Sequence, residues 1–220
     1  MEINDKREDV EYICVTDDKT MKSDTWTIIL VDDFILSLPF INQYTYIRYH
    51  PFEFVSNDIC VYLDASIRVL KDFREEIVEP FVKGGYEYGI SLHPCRKSIS
   101  EETHKWTTDK GYPIEQATKV VQWLANTEEK TNRLFQSGLL IHKNCRTTNF
   151  INNRTWELCH QWGKGAEIDI NNQCDLTFVL NHFFDNSDKI MVLPSQVIYS
   201  NYLQITHRLT GFKMNIEDNK

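Results

Sequence analysis

The sequence predicts a single α/β domain, and three observations carry that expectation. Segments rich in Val, Ile and aromatic residues alternate with segments of helical periodicity over most of the 220 residues. One apolar segment, Asp58-Ile59-Cys60-Val61-Tyr62-Leu63, runs without a polar break after its first residue, as a strand covered on both faces does. No internal repeat, low-complexity stretch or Pro/Gly-rich linker divides the chain, so one domain spans residues 1–220, with loose polar ends at about 1–9 and 213–220.

The elements follow in order. Val10–Thr16 reads as a first strand and Asp17-Asp18-Lys19 as the turn after it. Trp26–Val31 reads as a second strand. Tyr44–Tyr49 mixes polar and aromatic residues and fits neither period. The run from Asp58 to Leu63 is the central strand, and it ends on Asp64. Asp72–Val82 reads as a helix, with Asp72 as N-cap, Glu75 three residues on, and Pro80 as its end or a kink. Tyr86–Leu92 is a strand broken by His93-Pro94. Ser100 is the N-cap before Glu101-Glu102, and Ile114–Thr127 is a long amphipathic helix. Leu134–His142 is a buried strand carrying Gly138. Thr155–Trp162 and Gln173–Phe184 are helices, and Ile190–Tyr202 is extended.

Composition narrows the classes of function. The balance of 41% hydrophobic and 25% charged residues is that of an ordinary globular protein, and 27 aromatic residues argue against disorder. A formal charge of −8 argues against a broad nucleic-acid-binding surface, which needs a basic face. The six cysteines form no C-x-x-C pair, which disfavours a zinc ribbon. With a charged N-terminus and no secretory leader, they read as mostly buried thiols in a reducing compartment. No apolar run approaches the ~20 residues of a membrane span. The expected location is cytoplasmic, with peripheral association at the inner face of a membrane where lipid-linked acceptors are used.

Asp64 is the first candidate for chemistry. A buried strand that ends in Asp puts a carboxylate at the carboxyl edge of an α/β sheet, where ligands bind. Such a carboxylate can hold Mn²⁺ or Mg²⁺ and through it a diphosphate, or it can simply cap the following turn. His93, Arg96 and Lys97 cluster past another strand. His93 could ligate a metal or move a proton, and the two cations could neutralise a diphosphate. Glu101 and Glu102 lie near the same edge, and since neighbours on a helix diverge by about 100°, only one of them would face it.

The segment Val61-Tyr62-Leu63-Asp64-Ala65-Ser66-Ile67-Arg68-Val69-Leu70-Lys71-Asp72 resembles the metal-site segment of GT-A glycosyltransferases, especially family 8. There an apolar strand runs into Asp-x-Asp. Asp64 matches the first carboxylate, and Ser66 stands where the second belongs. Phe135–Asn144, with Gly138, resembles the family's small-Gly strand, where backbone approaches ligand closely, and by itself fits a plain buried strand with a bulge equally well. Asn172-Gln173-Cys174-Asp175 resembles its Asp-Gln helix start near the sugar, with Asn172 for the first Asp and Asp175 or Asp169 as replacements. A broader similarity, to the DUF616 group of glycosyltransferase-like domains, rests on an ordered series. The series comprises residues 14–18, Trp26, Tyr49-His50-Pro51, Leu63-Asp64-Ala65-Ser66, His93-Pro94 with Arg96, Glu101-Glu102, Gln116, Gly138-Leu139, Trp156 and Asn172-Gln173.

These resemblances imply a GT-A fold with a mixed, mostly parallel central sheet flanked by helices. They imply a hexosyltransferase-type enzyme using a UDP- or GDP-sugar donor and a glycan or lipid-linked acceptor, in surface polysaccharide synthesis. Asp64, His93, Glu102, Asn172, Gln173 and Asp175 become the expected catalytic residues. Thr16, Asp17, Asp18, Asp64, Ala65, Ser66, Arg96 and Gly138 become the expected nucleotide-sugar contacts, with Thr16-Asp17-Asp18 meeting base and ribose. Asp64 and Ser66 become the expected metal ligands. His207-Arg208 and Gly211-Phe212-Lys213 would form a cationic lid. Because Ser66 and Asn172 each remove a charge, a catalytically weakened nucleotide-sugar-binding or scaffold protein is the alternative. A metal hydrolase built on Asp64 and His93 is a third reading.

Overall fold

The computed structural model describes residues 7–109, 114–115, 118–119, 122, 133–163 and 172–205. A four-stranded sheet forms its centre, in the order β3 (Ile59–Leu63), β6 (Phe135–Lys143), β5 (Tyr88–Leu92), β7 (Ile190–Leu193). β5 and β7 pair in parallel, and β6 is antiparallel to β3 and to β5. Strands β3, β5 and β7 therefore point one way, with β6 alone reversed between them. Two smaller sheets flank it: β1 (Ile13–Thr16) parallel to β2 (Thr27–Leu30), and β4 (Ile67–Val69) antiparallel to β8 (Leu203–Ile205). The helices are α1 (Asp33–Ser37), α2 (Phe40–Tyr49), α3 (Glu79–Lys83), α4 (Ile99–Asp109), α5 (Arg146–Gly163) and α6 (Asn172–Phe183).

β6 divides two cores. Leu140 packs on one face with Ile151 and Leu158 of α5 and Leu176, Val179 and Leu180 of α6. Its neighbours Leu139 and Ile141 pack on the other face with Ile67, Phe81, Ile198 and Leu203. Successive strand residues point to opposite faces, so a strand covered on both must be apolar throughout. That is why its middle reads as an unbroken apolar run. Each such side chain contributes about 1.5–3 kcal/mol by leaving water. The α/β class expected from the sequence is the observed one.

Several element boundaries differ from expectation, each for an identifiable reason. The ambiguous stretch Tyr44–Tyr49 is the second half of α2. Its buried face carries Asn42, Thr45, Arg48 and Tyr49, so the side turned to the protein is largely polar and shows no apolar stripe. The helix expected over Asp72–Val82 begins as a π-helical turn, Arg74–Val78, and becomes α-helical at Glu79. Pro80 lies in the first turn of that second segment, where its missing N–H costs nothing. Asp72 still accepts a bond from the Arg74 amide, at 2.9 Å. α4 starts before Ser100, and Ser98 rather than Ser100 accepts from the Glu101 amide, at 3.1 Å. α5 begins nine residues ahead of the expected Thr155, because Thr148, Asn152 and Thr155 are buried polar residues on its inner face. Ile190–Tyr202 is broken after β7 by a 3-10 turn, Ser195–Tyr199. The helix expected over Ile114–Thr127 falls mostly outside the described residues, as do Gln116, Asp169 and 206–220. All six cysteines are free thiols. Among the described residues no helix is long and apolar enough to cross a membrane.

His142 of β6 is fully buried beside the Tyr88 ring, and its Nδ1 meets Asn152 Nδ2 at 3.2 Å. Burial pushes its pKa from 6.5 down to about 3. The unfolded chain takes up this proton near the ordinary value and the folded chain does not, so stability is complete above pH 6.5 and is lost as pH falls toward 3. In that window His142 contributes a slope of about 1.4 kcal/mol per pH unit. Urea denaturation at neutral and mildly acidic pH should show His142→Gln with a shallower acid loss than the parent. Equal slopes would remove His142 as the cause.

Candidate functional site

The site forms where the β5–β6 ladder skips. Ile90 pairs with Leu140, but Ser91 pairs with Gln136, so Ser137, Gly138 and Leu139 have no partner on β5. On the other side, β3 ends its pairing at Leu63 with Leu139, and the Asp64 amide donates to the Gly138 carbonyl at 2.9 Å. A bulge of this kind re-aims side chains at a sheet's end. Here it presents Ser137 and Gly138 at the edge where β3 and β5 finish. A Cβ on residue 138 would lie 3.2 Å from Asp64 Oδ2 and 3.3 Å from Ile67 Cδ1, so glycine makes room for the Asp64 carboxylate itself.

Asp64 is followed by a tight turn, with the Ile67 amide donating to the Asp64 carbonyl at 2.8 Å. Ala65 on this turn is exposed and Ser66 half-buried. The side chain that meets Asp64 is one the sequence did not single out. Arg48, 5% exposed, donates from Nη2 to Asp64 Oδ1 at 2.6 Å and from Nη1 to Ser137 Oγ at 3.1 Å. Its guanidinium lies over the Tyr62 ring at 5.3 Å and the Tyr44 ring at 5.7 Å. Tyr62 Oη donates to the same Oδ1 at 2.8 Å. Burial would favour a neutral guanidine, but Tyr62 and Asp64 beside it hold Arg48 firmly protonated. Burial pushes the Tyr62 phenol up to about 12, so it keeps the proton it donates. The available sequence signal was positional: Phe40, Tyr44 and Arg48 stand four apart and share one face of α2.

A cleft of about 1810 Å³ opens over this pair. Its apolar lining includes Tyr12 and Cys14 of β1 and its approach, Trp26, and Val61 of β3. Tyr12 and Trp26 meet edge to face at 5.8 Å. Its polar lining includes Arg48, Asp64, Ser66, Ser137, Arg96, Glu102 and Gln173. Arg96 Nε is ion-paired with Glu102, whose side chain is 4% exposed. Glu101, on the exposed side of α4, instead accepts from the Lys97 amide at 2.8 Å. Gln173 opens α6, and its buried Nε2 has no hydrogen-bond partner among the described residues.

The expected site residues divide accordingly. Asp64, Ala65, Ser66, Arg96, Glu102 and Gln173 meet at the cleft, with Gly138 directly behind Asp64. Thr16, the last residue of β1, and Asp17 and Asp18 of the turn after it are not part of the cleft lining. Asp18 Oδ1 accepts from the Thr20 amide and hydroxyl at 2.8 and 2.6 Å, and Thr16 Oγ1 from the Asp18 amide at 3.1 Å. His93 is also outside the lining. Its Nδ1 accepts from the Cys95 and Arg96 amides at 3.1 and 3.0 Å, and Nε2 faces Arg96 Nη2 at 2.7 Å. Burial, then the Arg96 charge, push its pKa to about 3. Both nitrogens are thus engaged within the His93–Arg96 segment. Asp175 is buried at 8% exposure and is not part of the cleft. Asn172 begins α6, with its side chain outside the described part, as are Asp169 and the expected lid residues 207–213.

Mn²⁺ or Mg²⁺ needs several oxygen ligands, carboxylates above all. Among the described residues no three His, Cys, Asp or Glu side chains gather in a way that could hold a metal. Asp64 Oδ1 already accepts from a guanidinium and a phenol, and Ser66 offers only a neutral oxygen. A divalent ion placed against Asp64 would meet the charge of Arg48. This donor set does not fit the metal implied by the GT-A resemblance.

No family model matches the chain, and no curated protein does. Membership of the DUF616 group therefore stays a resemblance. Among solved structures the chain is similar to mouse xyloside xylosyltransferase 1 in its apo form, with 10% identity and a TM-score of 0.43. The match covers 77% of this chain and 63% of that one, so this chain spans less than two thirds of its length.

Removing one member of a buried ion pair strands the other, and about 3–5 kcal/mol is typical when both are fully buried. Asp64 is 32% exposed, so Arg48→Met should cost nearer ~2 kcal/mol. Adding Asp64→Asn to Arg48→Met should recover part of that loss. Chemical denaturation of the two single variants and the double checks this, and strictly additive losses would mean the pair is not coupled.

Proposed function

We propose that the chain is a GT-A-type glycosyltransferase that binds a UDP- or GDP-sugar in the cleft and passes the sugar to a glycan or lipid-linked acceptor. One observation carries this reading. Polar side chains from the ends of β3 and β5, the β6 bulge, α2 and the start of α6 converge beside an aromatic and aliphatic slot. The slot along Tyr12 and Trp26 suits a nucleobase, and the cationic pairs at Arg48 and Arg96 suit a diphosphate. Gln173 suits a sugar hydroxyl, since its Nε2 has no hydrogen-bond partner among the described residues. The cleft exceeds the ~300–1,000 Å³ of ordinary small-molecule sites, leaving room for donor and acceptor together.

In this reading the bond from the sugar's anomeric carbon to the phosphate oxygen breaks. The acceptor oxygen bonds to that carbon, and its proton passes to Glu102, a buried carboxylate of the cleft. Negative charge gathers on the departing diphosphate, and guanidinium groups fixed before reaction stabilise it. Surface polysaccharide synthesis is the setting that the DUF616 similarity implies. A second reading, a nucleotide-sugar-binding protein without transfer, is favoured by the neutral Ser66 and by the engagement of Asp64 Oδ1 with Arg48 and Tyr62.

The test is incubation with UDP- and GDP-sugars and a panel of acceptor oligosaccharides, following nucleoside diphosphate release and acceptor mass. Transfer supports the first reading, and saturable binding without release the second. Failure to bind any nucleotide sugar overturns both. Gln173→Ala should lower kcat/KM about tenfold, equivalent to ~1.4 kcal/mol of transition-state stabilisation. Its melting temperature should stay close to that of the parent. A full-activity Gln173→Ala protein would remove Gln173 from the site.

A further inference from the structure

The poor fit between Asp64 and a divalent ion has a positive counterpart: the carboxylate already has its cation. We infer that Arg48, held by Asp64, does the work of the metal, so that this cleft binds a nucleoside diphosphate without a divalent ion. The inference rests on the glycosyltransferase reading for the identity of the ligand.

Four observations point the same way. Arg48 is 95% removed from solvent yet lines the cleft, so its charge meets a ligand there without a bulk-water shell. Its Nη2 and Nη1 are fixed by Asp64 Oδ1 at 2.6 Å and Ser137 Oγ at 3.1 Å, while Nε has no hydrogen-bond partner among the described residues. The Tyr44 and Tyr62 rings lie at 5.7 and 5.3 Å from the guanidinium, within cation–π reach. Finally, Ser66 occupies a tight turn where a second carboxylate would be needed to outweigh Arg48 and recruit a metal.

The charges decide which cation the site can hold. Asp64 and Arg48 sum to zero before any ligand enters. A divalent ion added to that pair meets one carboxylate and one cation, so it gains little. A diphosphate entering the same pair meets a guanidinium that can share its planar fork between Asp64 and phosphate oxygens. Arg96, paired with Glu102 on the same cleft, offers a second guanidinium of the same kind. Asp64 then serves as the counter-charge that keeps Arg48 folded in and protonated while the site is empty.

Calorimetric titration of the full chain with UDP and with GDP, in EDTA and in excess Mn²⁺, tests this. The expected result is binding of at least one of them with dissociation constants in the two conditions that agree within about threefold, a difference under ~0.7 kcal/mol. Tightening by tenfold or more in Mn²⁺ would overturn the inference while leaving the glycosyltransferase reading standing. No binding of either nucleotide in either condition would overturn both. Asp64→Asn separates the roles by sign. If Asp64 only balances Arg48, the variant binds diphosphate in EDTA at least as tightly as the parent. If Asp64 is a metal ligand, binding falls and loses any response to Mn²⁺. Arg48→Lys, which keeps the charge but loses the fork, should weaken binding about tenfold in EDTA, and unchanged affinity in a folded Arg48→Lys protein would also overturn the inference.

Discussion

The ion pair between Arg48 and Asp64 is the contact on which the architecture of the cleft depends. It joins α2 to the end of the edge strand β3, and through Ser137 it joins both to the bulge of β6. A guanidinium this deeply buried needs a carboxylate against it, a hydrogen-bond acceptor at its second terminal nitrogen and aromatic faces beside it. All three are present. The arrangement is therefore rigid in the absence of ligand, and its polar groups are aimed before a substrate arrives. The same pair engages Oδ1 of the carboxylate at the end of β3.

The bulge is the second constraint. Without it, β6 would continue its regular ladder with β5, and Ser137 and Gly138 would be ordinary ladder residues. The skipped residues are what bring a hydroxyl to Arg48 and a backbone carbonyl to the Asp64 amide. Glycine at 138 follows from that placement, because a methyl group there would press on Asp64. A glycine expected to admit a ligand thus admits the site's own carboxylate. His93 accepts two amide bonds from the Arg96 loop and lies outside the cleft lining, to which Arg96 and Glu102 belong.

Legibility from sequence followed the kind of burial. The middle of β6 was readable because both its faces are covered, which forces continuous apolar residues, whereas β3, expected in the middle of the sheet, is an edge strand whose residues are all half-buried, with Tyr62 packed on one core and Ile59, Val61 and Leu63 on the other. Asp64 was readable because a charge at the end of such a run stands out. α2 was not readable, since its inner face is made of Asn42, Thr45 and Arg48, and polar residues buried against polar partners leave no apolar stripe. α5 was readable only in its second half for the same reason. Ser98 was passed over as the cap of α4 because Ser100, two residues on, fits a capping pattern equally well until the backbone path is known.

What the sequence determined by itself was the α/β class, the central apolar strands and the presence of a carboxylate at the edge of the sheet. These depend on local composition and on which faces must leave water, and both are written residue by residue. The tertiary structure alone decided that the carboxylate faces an arginine sixteen residues earlier in the chain and a serine on another strand. It also decided that Thr16-Asp17-Asp18 closes its own turn, and that Glu102 rather than Glu101 turns inward. Those outcomes depend on how α2, α4 and the β6 bulge meet in space. Electrostatic partners at such separations leave no period in a sequence, because nothing local requires them to be regularly spaced.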